Sequence, residues 1–113
     1  MWHCPNIYST KPNIYKIQEA ANKRILFLPH AAKQMMRPDR MISINDVRRV
    51  IAAGEIIENY PEDARGHSCL VFGFGDTDRS IHIVCAPKED YLAIISAYLP
   101  NLDKWSDNFK VRI

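Results

Sequence analysis

The chain has 113 residues, 47% of them hydrophobic and 25% charged, with a formal net charge of +2. This is enough for one domain around a single core, and the composition is that of a globular protein rather than a disordered segment. No apolar run reaches the roughly 18 residues of a membrane span. The start MWHCPNIYSTKPNIY has neither the charged head nor the apolar centre of a signal peptide, so a soluble, cytoplasmic protein is expected.

The first half reads as helices. In NIYKIQEAANKR, Ile14, Ile17 and Ala21 recur at helical spacing behind Pro12. ILFL is an apolar run short enough for a strand or for a staple ahead of the next helix. Pro29 suits the first turn of a helix through PHAAKQMM, in which Ala32, Met35 and Met36 form an apolar stripe, and Pro38 ends it. In SINDVRRVIAAG, Ser43 is an N-cap that Asp46 answers as a capping box. Ile44, Val47 and Ile51 are expected to face the core, Arg48 and Arg49 to face outward, and Gly54 to supply a left-handed terminus.

The second half reads as strands. EIIENY ends at Pro61, and PEDARGHS is a polar loop. CLVFGFG and SIHIVCA are joined by the turn DTDR, and PKED leads into YLAIISAY. Short antiparallel strands with tight turns make a meander. Helices that do not alternate with strands give an α+β fold, with two or three N-terminal helices on one face of a four-stranded, mainly antiparallel sheet. Period-two alternation puts Ile81, Ile83 and Cys85 on one side, His82 and Val84 on the other, and Leu92, Ile94, Ser96 and Tyr98 on a common side. GFGDTD lacks the strand–helix context of a dinucleotide loop and the lysine of a phosphate loop, which leaves a hairpin turn.

Charge is unevenly spread. Residues 1–50 hold nine Lys/Arg against three Asp/Glu, a balance of +6, and residues 51–113 hold six against ten, a balance of −4. A basic half gathered on one surface attracts phosphates; dispersed, the same charges only solvate helix faces. Of the three cysteines, Cys69 and Cys85 sit in strand-like runs as small core residues, and reduced thiols are expected. His3-Cys4 has no second closely spaced pair to complete a zinc site, so no metal or cofactor is expected.

Several side chains could carry chemistry. His30 falls in the first turn of a helix, where the positive dipole end disfavours imidazolium and leaves a neutral base. Arg37 lies two helical turns on, and Arg40 follows Pro38. A base beside guanidinium groups is what RNA cleavage by the neighbouring 2′-hydroxyl requires. Tyr98 can donate a proton or stack on a base, Lys104 can contact phosphate and Trp105 can stack. Each has a plainer alternative: His30 as a surface residue, His82 as a half-buried histidine with one hydrogen bond, Trp105 as a plug on the core edge.

Together HAAKQM, RPDRMISINDVRRVIAAGEIIENYPED, SCLVFGF, IHIVCA and AYLPNLDKW resemble the bacterial domain-of-unknown-function family 4258, from about residue 25 to the C-terminus. That family is similar to the RelE/BrnT-like toxins of type II toxin–antitoxin systems. The resemblance implies a helix-on-sheet toxin-like domain over 25–113, with residues 1–24 as an N-terminal extension carrying a helix. It also implies a metal-independent endoribonuclease held inactive by an antitoxin, which in some relatives carries a zinc finger. The matching positions are His30, Asp46, Gly54, Tyr60, Pro61, His82, Tyr98, Pro100 and Trp105. Gln34 stands where family members often carry an arginine, and the end FKVRI is less basic than is usual there.

The leading expectation is therefore an RNA-cleaving toxin without metal or cofactor. In it His30 is general acid or base, Arg37 and Arg40 hold phosphate, Tyr98 is a second proton donor or a stacking platform, and His82 and Lys104 are secondary candidates. The rival is a non-catalytic module holding RNA or a partner protein on the same basic surface. A third reading is a structural domain whose polar face meets another subunit of a homo-oligomer.

Overall fold

The structure, a computed structural model, describes residues 13–113. Pro12 and the His3-Cys4 pair lie outside the described residues. Helix α1 (Ile14–Lys23) starts at Asn13, whose side chain accepts a hydrogen bond from the Lys16 amide at 3.0 Å. Strand β1 (Ile25–Phe27) and helix α2 (Pro29–Met36) follow, with Pro29 in the first helical turn. Helix α3 (Ile44–Ala53) opens with the expected Ser43–Asp46 capping box. Strands β2 (Glu55–Tyr60), β3 (Ser68–Phe74), β4 (Ser80–Pro87) and β5 (Leu92–Tyr98) complete the chain order. The GFGDTD segment is a turn, with a short 3-10 helix at Asp76–Asp78.

The fold is α+β, with three helices and a five-stranded mixed sheet in the order β1-β5-β4-β3-β2. This corrects the four-stranded expectation. The ILF segment is a strand that pairs parallel with β5, Ile25 opposite Leu92 and Phe27 opposite Ile94. The meander β2–β5 is antiparallel as expected. Parallel pairing of β1 needs a long crossover, which everything from α2 to β4 supplies, so no local turn signal marks it.

The helices bury one face of the sheet. Ile17, Ala31, Met35, Val47, Val50 and Ile51 meet Val71, Ile81, Ile83, Cys85, Leu92 and Ile94 in one core. Ile17 and Ala20 of helix α1 thus belong to the main core. Cys69 and Cys85 are free, buried thiols opposite each other on β3 and β4, and hydrogen bonding with the Cys69 side chain, with burial, keeps the Cys85 thiol well above its ordinary pKa. No helix among the described residues is long and apolar enough to cross a membrane.

Three local expectations change. Ile44 is exposed, because the inward place in the first turn of α3 goes to Asp46. Met36 is exposed as well, since Ala31 and Met35, four residues apart, form the inward stripe of α2. Gly54 is not left-handed (φ −81°), and space explains it instead. A Cβ there would stand 2.4 Å from the Val50 carbonyl oxygen and 2.7 Å from that of Phe72.

Beyond β1, α2 flanks the outer side of β5. The Leu28 amide donates to the Ile94 carbonyl at 3.0 Å, and Gln34 Oε1 accepts from the Ala97 amide at 2.9 Å and from the Ser96 hydroxyl at 2.8 Å. Gln34 therefore closes the open edge of the strand.

Candidate functional site

Two bulges decide which side chains meet on the sheet face away from the helices. On β5 the register shifts at Ile95, so Ile94 lies opposite Cys85, Ser96 opposite Val84 and Tyr98 opposite His82. Strict alternation would have kept Ser96 and Tyr98 with Leu92 and Ile94. The extra residue turns them to the opposite face, beside His82. Strand β2 carries a second irregularity at Ile57, which puts Glu58 opposite Leu70 and Tyr60 opposite Ser68 on that same face.

The chain after β5 folds back over this face. Trp105 and Arg112 form an isolated bridge, and the Trp105 ring, 3% exposed, meets the edge of His82 at a centroid distance of 4.4 Å. His82 is fully buried. Its Nε2 lies 2.8 Å from the Phe109 carbonyl oxygen. A carbonyl only accepts, so Nε2 carries the proton. In the neutral ring Nδ1 then accepts from the Tyr98 hydroxyl, 3.2 Å away. Burial lowers the His82 pKa below its ordinary value, outweighing the Phe109 hydrogen bond and the Glu58 charge, which favour the protonated ring. Burial also raises the Tyr98 phenol.

Beside this pair, Arg112 Nε donates to the Glu58 carboxylate at 2.8 and 3.1 Å, and Nη2 donates to the Tyr60 hydroxyl at 3.4 Å. The guanidinium lies over the Trp105 ring, 4.6 Å from its centroid. Tyr60 in turn donates to Glu58 at 2.5 Å. Burial and that carboxylate push the Tyr60 phenol up to about 12. Burial alone would raise Glu58, but the hydrogen bonds from Arg112 and Tyr60 outweigh it and leave its pKa lowered.

A hollow of about 290 Å³ opens where these elements meet. Its polar walls are Gln34, Arg40, Tyr98, Asn101, Lys104 and Arg112. Three cations from two segments, Arg40 from the loop before α3 and Lys104 and Arg112 from the chain after β5, therefore line one hollow with Tyr98. Arg40 is brought there by its loop, which Arg79 clamps. The Arg79 guanidinium donates to the Arg40 carbonyl at 2.5 Å, to the Met41 carbonyl at 3.0 Å and to buried Asp46 at 3.0 Å. Arg40 Nη1 is buried and has no hydrogen-bond partner among the described residues. Such an unmade bond is costly.

A second, shallow hollow of about 730 Å³ adjoins the first, lined by His30, Tyr60, Asp63, Val84, Ile95 and Ser96 among others. The Ser96–Gln34 and Tyr60–Arg112 hydrogen bonds span the boundary between the two.

The expected site residues thus divide. Arg40, Tyr98, Lys104 and Trp105 share the cationic hollow, and His82 stands directly behind Tyr98. His30 borders the neighbouring hollow. Arg37 caps the end of α2 in extended conformation, pairs with Asp39 at 3.2 Å and lines neither hollow. The Trp105 ring covers His82 and is not presented to a base, and both His82 ring nitrogens are engaged. Glu58, Tyr60 and Arg112 were not read as one cluster from the sequence. The i, i+2 spacing of Glu58 and Tyr60 carried the signal that they share a strand face. Among the described residues no three or more His, Cys, Asp or Glu gather in a way that could hold a metal ion.

None of the curated proteins and none of the solved structures compared matches the chain. The family described as Domain of unknown function (DUF4258) matches residues 27–99. That stretch runs from the end of β1 past Tyr98, and so ends before Lys104, Trp105 and Arg112, short of the C-terminus to which the resemblance had been extended. It covers well over half of the sequence and includes Arg40, Glu58, Tyr60, His82 and Tyr98, and on this match the chain belongs to the DUF4258 family.

Proposed function

We propose that this protein is the toxin of a type II toxin–antitoxin pair, with a fold of the RelE/BrnT type, cleaving RNA in the cytoplasm without metal and held inactive by a cognate antitoxin. The observation that carries the reading is the cationic hollow, which Arg40, Lys104 and Arg112 line together with Tyr98. A phosphodiester is the ligand whose charge and size suit three cations and one phenol.

In this mechanism the arginines hold the phosphate oxygens, and the 2′-hydroxyl oxygen attacks phosphorus. Its proton passes to the Tyr98 oxygen while the Tyr98 proton moves to Nδ1 of His82. The P–O5′ bond breaks, and the leaving oxygen takes a proton from Lys104. The products are a 2′,3′-cyclic phosphate and a 5′-hydroxyl. Glu58 compensates the charge that develops on His82, to which it is electrostatically coupled.

A second reading has its own support: an RNA-holding module without cleavage. His82 is sealed beneath Trp105 and His30 borders the other hollow, so no imidazole lines the cationic one. Incubating the purified protein with RNA in EDTA separates the two. Cleavage abolished by Tyr98→Phe, with RNA affinity kept, supports the enzyme. Binding without cleavage supports the module. RNA affinity unchanged by the Arg40→Ala, Lys104→Ala double variant sinks both.

A further inference from the structure

The surface beside the cationic hollow has a distinct chemistry. The strap after β5 covers the sheet over His82 but leaves a strip around Val84 and Ser96 uncovered. Val84 is half-buried on the sheet face away from the helices, an apolar side chain unroofed between the strap and the loop after β2. Ile95, the bulge residue, and Val84 border this hollow together, with two ring side chains, the exposed His30 imidazole and the half-buried Tyr60. The Tyr60 hydroxyl is already committed to Glu58 and Arg112, which holds its ring in place. Ser96 donates its proton to Gln34, so its oxygen keeps lone pairs for a further donor.

We propose that this hollow takes one unstacked base of a single-stranded RNA whose adjoining phosphate lies in the cationic hollow. The inference rests on the phosphate reading of that site and adds the class of substrate. Three observations carry it. The hollow adjoins the cationic one, since two hydrogen bonds join residues that line it to residues that line the other. Its surface combines apolar atoms with two rings, which suits the flat face of a base. Polar atoms of Ser96 and His30 stand beside that surface, where the edge of a base would present donors and acceptors. A paired base cannot enter, because its face is covered by stacking and its edge is used by its partner. The chain therefore selects single strands, loops or frayed ends over duplex.

The test uses the full chain and three short RNAs: a single strand, the same strand with one central abasic site and the same number of phosphates, and the duplex of the intact strand. Affinities are measured at one fixed salt concentration, because phosphate binding depends steeply on salt. The abasic strand is expected to bind at least about fivefold more weakly than the intact one, the lower end of what one stacked base contributes. The duplex is expected to bind more weakly still. Val84→Gln lays a longer polar side chain across the hollow from an already half-exposed position, and its melting curve checks folding. It should weaken the intact strand while leaving the abasic strand unchanged.

Equal affinity of the intact and abasic strands overturns the base site and leaves the phosphate reading standing. A folded Val84→Gln that binds the intact strand as wild type does also overturns it. Loss of the phosphate reading has a separate signature, an Arg40→Ala, Lys104→Ala variant that binds all three RNAs as wild type does.

Discussion

Asp46→Asn removes a charge while keeping the shape of the side chain, and the structure sets what it should cost. Asp46 is 2% exposed and its carboxylate serves three donors: the Ser43 amide at 2.9 Å, the Asp76 amide at 2.6 Å and the Arg79 guanidinium at 3.0 Å. Asparagine offers one oxygen, and its NH₂ group must face donors on the other side. One arm of the capping box is lost, at about 1 kcal/mol, and at least one buried donor is left unmatched, at about 1–3 kcal/mol. A cost of about 3 kcal/mol follows, and at about 4 °C per kcal/mol for a domain of this size the midpoint should fall by about 12 °C. Burial pushes the Asp46 carboxyl up, but the Ser43 and Asp76 amides, the Ser43 side chain and the Arg79 charge outweigh it and leave its pKa lowered. A folded pKa below the unfolded one gives stability that is present above about pH 4 and lost as pH falls through the folded value. Wild type should therefore lose stability below about pH 4 more steeply than the variant. Thermal melts followed by circular dichroism between pH 2 and 7 measure both effects. Because Arg79 also holds the Arg40 loop, the proposed RNA binding should weaken in the variant at temperatures where it remains folded. A midpoint within about 3 °C of wild type, with parallel acid profiles, would refute the argument that this carboxylate joins α3 to the β3–β4 turn.

Two further outcomes follow from the geometry. Gly54→Ala places a Cβ against two backbone carbonyl oxygens that cannot swing aside. It should cost about 1–3 kcal/mol in chemical denaturation although alanine tolerates the backbone angles, and a neutral result would mean that β3 yields there. His82, followed by NMR, should show the Nε2–H tautomer and stay neutral below the ordinary histidine range. Its contribution to stability should be complete above about pH 6.5 and decline as pH falls toward the lowered folded pKa; titration at the ordinary value would show that the ring is not sealed.

The Ser43–Asp46 capping box, the Pro29 helix start, the four-strand meander and the buried cysteines were legible because each is a local signal: a cap, a fixed φ, an alternation, an apolar run. ILFL could be read as a strand or a staple, but its place as a fifth strand could not, because ILF makes its hydrogen bonds to residues some 67 positions away. The site lay at an intermediate level. Arg40, His82, Tyr98 and Lys104 could be picked out by side-chain chemistry, but their grouping could not.

The sequence by itself determined an α+β chain with a charged, helix-forming first half and a strand-forming second half, and it singled out Arg40, His82, Tyr98 and Lys104 by side-chain chemistry. The tertiary structure alone decided which of them meet. One unpaired residue at Ile95 turns Tyr98 toward His82, and another at Ile57 brings Glu58 and Tyr60 to the same face. A bulge reverses the facing of every side chain beyond it, and whether it forms depends on the partner strand, which no local pattern contains.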